Sequence, residues 1–249
     1  MTRRQALWVG FVALALLGCS APLDATVTGG WKRAVALIGL LGAASALRTA
    51  WLLASAARTV REMPMGIASE ALLISGRRAG VERLAVVESE EVFAVCSGLL
   101  RPKVVVSSQL TKALGGSLLD AVLVHEARHA RCREPLRRAW RSAVADIFLP
   151  FPVLRWWAVR RIEDSELAAD RAAIARVGVE PVAAALLVVG RSVPRVALAA
   201  FEGVAERRAA QLLGERQQAR RVPLRVAVGS GAGFGVLSFA ALCATGLVG

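Results

Sequence analysis

Apolar positions gather in three long runs, two near the N-terminus and one at the C-terminus. The first, Ala6 to Leu23, stands behind Arg3 and Arg4. The second, Val35 to Ala57, is broken by Arg48, follows Trp31, Lys32 and Arg33, and contains Trp51. Runs of about 20 apolar residues match the thickness of a bilayer core, and aromatic and basic residues at their ends suit its interfaces. Residues 1–57 therefore read as two transmembrane helices joined by a turn rich in Gly, Thr and Pro. Leu16-Leu17-Gly18-Cys19 also suits a lipoprotein cleavage site, but a second run so soon afterwards favours a signal anchor that is retained. Arg48 is expected to snorkel or to face a partner helix. The third run, Val226 to Val248, is uncharged and gives a C-terminal transmembrane helix over 226–249. Its Gly229, Gly231, Gly233 and Gly235 have the spacing that lets helices approach closely in lipid.

Between the runs the periodicity changes. Ser69 to Ser107 reads as a small sheet, with strands over Arg83–Glu88, Val92–Cys96 and Lys103–Ser107 punctuated by Gly80, Gly98 and Pro102. Helical spacing then takes over in Ser117 to Arg133, Leu136 to Phe148, and Val153 to Val177 closed by Gly178. A small-residue helix with Pro181 in its first turn follows, and another covers Val196 to Leu213. Residues 142–159 are apolar but interrupted by Asp146, Arg155 and prolines, with Trp140, Trp156 and Trp157 around them. They read as an interfacial hairpin. The fold class expected is a mainly α membrane protein whose α+β domain, residues 58–225, is flanked by transmembrane helices. Arg58, Arg61, Arg77 and Arg78 after the second run, and Arg216, Arg220, Arg221 and Arg225 before the third, place that domain in the cytoplasm of a multi-pass cell-membrane protein.

Composition narrows the function. Of 249 residues 55% are hydrophobic, and the net charge is +13, which together favour a lipid bilayer over nucleic acid as the partner. No nucleic-acid motif accompanies the charge. The four cysteines lack CxxC spacing, so neither a disulfide framework nor a zinc ribbon is expected. There is no tyrosine, and there are only two histidines.

Both histidines fall in His125-Glu126-Ala127-Arg128-His129, the pattern H-E-x-x-H on a helix. The i, i+4 spacing puts the two imidazoles on one face, able to hold one Zn²⁺ with Glu126 beside the water that such an ion acidifies. Glu126 is then the catalytic base. A third ligand must come from elsewhere. With both histidines used and Cys132 facing away by helical phase, a carboxylate is expected, foremost Glu166, with Glu163 and Asp164 as rivals. Asp170 shares a helix face with Glu166 and suits the task of hydrogen-bonding a ligand histidine.

Phe93-Ala94-Val95-Cys96-Ser97-Gly98-Leu99-Leu100-Arg101-Pro102 running into Lys103–Ser107, then H-E-x-x-H, then Glu-x-x-x-Asp, resembles the BlaR/MecR-type membrane metallopeptidases. The resemblance covers roughly Phe93 to Ala173 and is weaker to the HtpX-like and CAAX-prenyl proteases. It implies a gluzincin-like zinc endopeptidase facing the cytoplasm, with His125, His129 and Glu166 as ligands and Glu126 as base. It implies that an edge strand before the zinc helix binds substrate backbone, which points to Lys103, Val104, Val105, Val106 and Ser107. It also implies a protein substrate, by analogy a transcriptional repressor. Two features depart from the family. Glu134 stands where an Asp is usual, and the Tyr or third His that commonly stabilises the oxyanion is missing, leaving an arginine or a backbone N–H. Arg171 stands next to Asp170, but nothing in the sequence singles it out for that role. No sensor domain is expected after the last span. The alternatives are a membrane quality-control protease of broad specificity and a non-catalytic membrane adaptor with a structural zinc site.

Overall fold

The computed structural model describes residues 27–191, 195–215 and 221–244, with side chains from residue 39 onward except 191–203, 216–220, 237 and 240 to the end. The first apolar run and the cleavage site ending at Cys19 lie outside the described residues. In chain order come α1 (Val27–Glu62), β1 (Met65–Gly66), α2 (Glu70–Ala79), β2 (Leu84–Val87), β3 (Ala94–Ser97), β4 (Lys103–Ser107) and α3 (Ser108–Ala113). Then follow α4 (Gly116–Arg131), α5 (Glu134–Ile147), α6 (Pro152–Val177), α7 (Val179–Arg191), α8 (Arg195–Leu212) and α9 (Leu224–Ala244).

These elements divide into two compact units. One comprises the chain up to Thr49, Trp140–Val159 and the chain from Arg220; the other comprises Ala50–Ala139 and Arg160–Ala219.

The second unit holds the sheet, in the order β1-β2-β4-β3. β4 runs parallel to β2, pairing Val104 with Leu84, and antiparallel to β3, pairing Val105 with Val95. Lys103–Ser107 is therefore not an edge strand, and the expectation that it receives substrate is corrected. Its backbone groups are engaged on both flanks, and Val104, Val105 and Val106 are fully buried. An unbroken valine run is what a strand covered on both faces requires. Ser107 is equally committed, because its Oγ accepts from Leu110 N at 3.1 Å, capping α3, and from Phe93 N at 3.1 Å. The free edge beside β4 belongs to β3.

Ser69–Ser107 is also not all sheet, since α2 occupies its first third. Ser69 Oγ accepts from Leu72 N at 3.2 Å as the N-cap, and Leu72, Gly76 and Ala79 recur at helical spacing on the buried side. Helix α4 packs against the sheet and against α2 and α7. Its Leu119, Leu123 and Ala127, four residues apart, supply the apolar stripe that joins the core. α6 ends at Gly178, whose φ of +92° is a left-handed stop that costs a residue with a Cβ more than glycine.

In the other unit, one stretch among the described residues is long and apolar enough to cross a bilayer, Gly39–Glu62 of α1, which runs on past Thr49; Leu224–Val236 of α9 is apolar but shorter. Arg48 faces Asp146, with its Nη2 3.1 Å from Oδ2. Residues 140–159 take in the end of α5, the turn at 148–151 and the start of α6, and Trp140 meets Trp157 edge to face at 6.2 Å. α9 closes on this turn through half of its glycines. A Cβ on Gly229 would meet Pro152 Cγ at 3.3 Å, and one on Gly233 would collide with the Pro150 carbonyl, whereas Gly231 and Gly235 have nothing within 4 Å. Ser230, between the two contacting glycines, accepts from Val153 N at 3.0 Å, satisfying an N–H that the first turn of α6 leaves open. Gly233→Leu should therefore destabilise the protein by about 1–3 kcal/mol through overpacking. Gly231→Leu should stay within about 0.5 kcal/mol. Thermal melts of the two variants in one detergent compare them, and equal melting temperatures would mean that α9 does not need this close approach.

Candidate metal centre

Helical phase alone brings His125 and His129 onto one face of α4. Their Nε2 atoms lie 3.0 Å apart, and the rings meet edge to face. Glu166 arrives from α6, with Oε2 3.3 Å from His125 Nε2 and Oε1 3.6 Å from His129 Nε2. The three donor atoms lie within 4.8 Å of one another. Their chemistry, two imidazole nitrogens and one carboxylate oxygen, is that of a zinc ligand set.

One turn further along α6, Asp170 is fully buried and accepts from His125 Nδ1 at 3.0 Å. That bond fixes the tautomer and leaves Nε2 on the side of Glu166. Asp170 is itself held by a fork from α8, in which Arg208 Nε donates to Oδ2 and Nη2 to Oδ1, each at 2.7 Å. Arg208 Nη1 also lies 3.6 Å from Glu166 Oε2. From α5, Arg138 Nη2 donates to Glu166 Oε1 at 2.7 Å.

These contacts set the charges. Burial disfavours a proton on His125, but the hydrogen bonds to Asp170 and Glu166 outweigh it and push its pKa up to about 9. Burial, reinforced by the charge of His125, pulls His129 down to about 4. Burial raises Glu126 to about 7, with the positive charge of His125 opposing and the carboxylate of Glu166 adding. Glu166 and Asp170 are held below the usual carboxylate range. Burial opposes this, but the bond each makes to His125 and the nearby guanidinium charges prevail.

The sequence-predicted residues His125, Glu126, His129, Glu166 and Asp170 thus come together, with Glu126 buried next to the histidines. The rivals do not join them. Glu163 is engaged by Arg207 Nη1 at 2.7 Å and Arg160 Nη1 at 3.3 Å, and Asp164 pairs with Arg161 and Arg207. Glu163 is a buried ion-pair partner, whereas Asp164 is exposed. Arg171 points elsewhere, donating to Gln211 Oε1 at 3.0 Å. Arg138 and Arg208 escaped the sequence reading. Arg138 lies one helical turn past Glu134, in the next helix after the H-E-x-x-H pair, and this was the only local signal. Nothing local marked Arg208, which comes 38 residues after Asp170. Glu134, in the place of the usual Asp, is buried. Cys96 and Cys132 are free thiols; Cys96, on β3, is pushed up to about 12, chiefly by burial, and stays protonated.

Comparison with curated proteins and comparison with solved structures each return no match. The family model of peptidase family M48 matches residues 55–240, which take in α4, α6 and every residue of the cluster. With most of its length matched and two imidazoles and a carboxylate gathered at one point, this chain belongs to peptidase family M48, whose members are zinc-dependent metallopeptidases.

Proposed function

We propose that the protein is an integral-membrane zinc endopeptidase, closer to the BlaR/MecR type than to the HtpX type, that hydrolyses peptide bonds of a protein substrate. The observation that carries this reading is the meeting of His125, His129 and Glu166 beside the buried Glu126. Three protein ligands suit a catalytic zinc site, which keeps a fourth position open. His125, His129 and Glu166 would hold a zinc ion, which would supply Lewis acidity toward a carbonyl oxygen and a bound water. Glu126 accepts the proton that water loses as its oxygen bonds to the carbonyl carbon. It then passes that proton to the amine nitrogen as the C–N bond breaks. Asp170 keeps Nε2 of His125 turned toward Glu166, and Arg208 keeps Asp170 in place.

We place the substrate along β3. Its outer edge, Ala94–Ser97, takes the role first expected of Lys103–Ser107, because β3 is paired on one flank only and an extended peptide can add to it. Membrane placement is supported by Gly39–Glu62, and by an Arg48–Asp146 pair that satisfies a charge within an apolar helix. Residues 58–225 are assigned to the cytoplasmic side on their flanking arginines. A transcriptional repressor is the substrate that the BlaR/MecR resemblance suggests.

The test uses the full chain in detergent. Bound zinc is counted by atomic emission, and cleavage of casein and of an internally quenched peptide is followed before chelation, after chelation and after zinc is returned. The expected result is about one zinc per chain, with cleavage lost on chelation and restored by zinc. Cleavage indifferent to chelation, or a chain that takes up no zinc, would overturn the reading.

A further inference from the structure

A peptidase that adds water to a carbonyl must stabilise the negative charge that grows on the carbonyl oxygen. This chain has no tyrosine, and both histidines stand in the cluster, so neither of the side chains commonly used is to hand. Two guanidiniums reach Glu166, and they are not equivalent. Arg208 is 19% exposed, and its fork is spent on Asp170 through Nε and Nη2. Arg138 is 37% exposed, and among the described residues its one hydrogen bond is from Nη2 to Glu166 Oε1. A guanidinium carries five N–H donors, so Arg138 has most of its donors uncommitted beside a metal ligand.

The surroundings of Arg138 narrow its role. Its positive charge acts on Glu126, which would handle the proton, and on Cys96 of β3, the strand whose free edge suits an extended peptide. Arg138 therefore contacts the ligand Glu166, and its charge reaches the base and the strand whose edge is free.

We propose that Arg138 donates to the scissile carbonyl oxygen of the bound peptide and holds the charge that develops on it. This inference rests on the peptidase reading above. It makes Arg138 a catalytic residue rather than a positioning one, and the two roles separate by measurement. Removing a single oxyanion donor lowers kcat by about 10²–10³-fold. Removing a cation beside a divalent ion relieves repulsion, so zinc binding weakens only if Arg138 is needed to position Glu166.

The experiment compares zinc-loaded wild-type protein with Arg138→Ala and Arg138→Lys in detergent. Zinc affinity is read by competition with a chelator, kcat and KM on the internally quenched peptide at saturating zinc, and the dissociation constant of a phosphonamidate peptide, whose tetrahedral P–O⁻ mimics the charged carbonyl oxygen. For Arg138→Ala the expected outcome is zinc affinity equal to wild type or tighter, kcat lower by about 10²–10³-fold with little change in KM, and phosphonamidate affinity reduced in step with kcat. Arg138→Lys keeps the charge but not the fork, and should recover part of the loss. Weaker zinc binding with activity restored by excess zinc would overturn the proposal in favour of a positioning role. Unchanged phosphonamidate affinity in Arg138→Ala would overturn it outright. If wild-type protein binds zinc but cleaves neither casein nor peptide, the peptidase reading fails and this proposal with it, whereas an active wild type with unchanged phosphonamidate affinity in Arg138→Ala overturns this proposal alone.

Discussion

Glu126→Gln should keep its zinc and lose peptide cleavage by about 10²–10⁴-fold, the range that proton transfer by a positioned side chain contributes. The substitution preserves size and the packing of a buried position while removing the ability to take a proton. Zinc content is expected to stay at the wild-type level, because Glu126 is not among the three clustered donors. KM should change little, since the proton moves only on the way to the transition state. A pH profile adds an independent check. Burial raises Glu126 to about 7 in the metal-free protein, and a divalent cation nearby can only lower that value. The carboxylate form dominates above its pKa, so wild-type activity should fall as pH is lowered through a value at or below about 7. That limb should disappear from whatever activity Glu126→Gln retains. Cleavage at the wild-type rate would remove Glu126 from the mechanism, and loss of zinc along with activity would make it a structural residue.

Local periodicity made most of the metal centre legible. His125 and His129, and again Glu166 and Asp170, are i, i+4 pairs, so a helix must put each pair on one face, and sequence spacing then carries geometry. What local spacing does not encode is which distant segments meet. The order of strands is of this kind: Lys103–Ser107 was recognisable as a strand, but its place between β2 and β3 depends on pairings made across the chain. Its three consecutive valines were the available warning, since an edge strand with one wet face alternates polar and apolar positions. Helix α2 was hidden for a different reason. Ten residues carry few turns of periodicity, and the telling feature was the Ser69 cap rather than the apolar pattern. Arg138 and Arg208 were hidden by abundance, because in a chain with 32 lysines and arginines no single guanidinium stands out until a buried carboxylate selects it. The glycines of α9 were legible as a close-approach surface, but their partner, the Pro150–Pro152 turn, is an irregular segment with no period of its own to match.

Asp170→Ala should destabilise the metal-free protein by about 3–5 kcal/mol, because it leaves Arg208 as a largely buried cation without its partner. It should also weaken zinc binding by about 10–100-fold, because His125 loses the acceptor that fixes its tautomer. The pH dependence separates the two partners of Asp170. His125 is raised in the folded state from 6.5 to about 9, so its share of the stabilisation is complete below 6.5 and is lost as pH rises through about 9. Asp170 is lowered from 3.8, so its share is present above that value and is lost as pH falls below it. The deficit of Asp170→Ala should accordingly be largest between about pH 4 and 6.5, and by pH 10 should shrink to the part owed to Arg208. Urea melts of chelator-treated protein in detergent at pH 6 and pH 10 measure both. Equal deficits at the two pH values would remove His125 from the linkage, and a deficit below about 1 kcal/mol would mean that the fork on Asp170 is not a buried pair. The double variant Asp170→Ala with Arg208→Met isolates the cause. If the cost is an uncompensated cation rather than lost packing, replacing that cation with an apolar side chain should recover most of the stability lost in Asp170→Ala and leave the zinc affinity low.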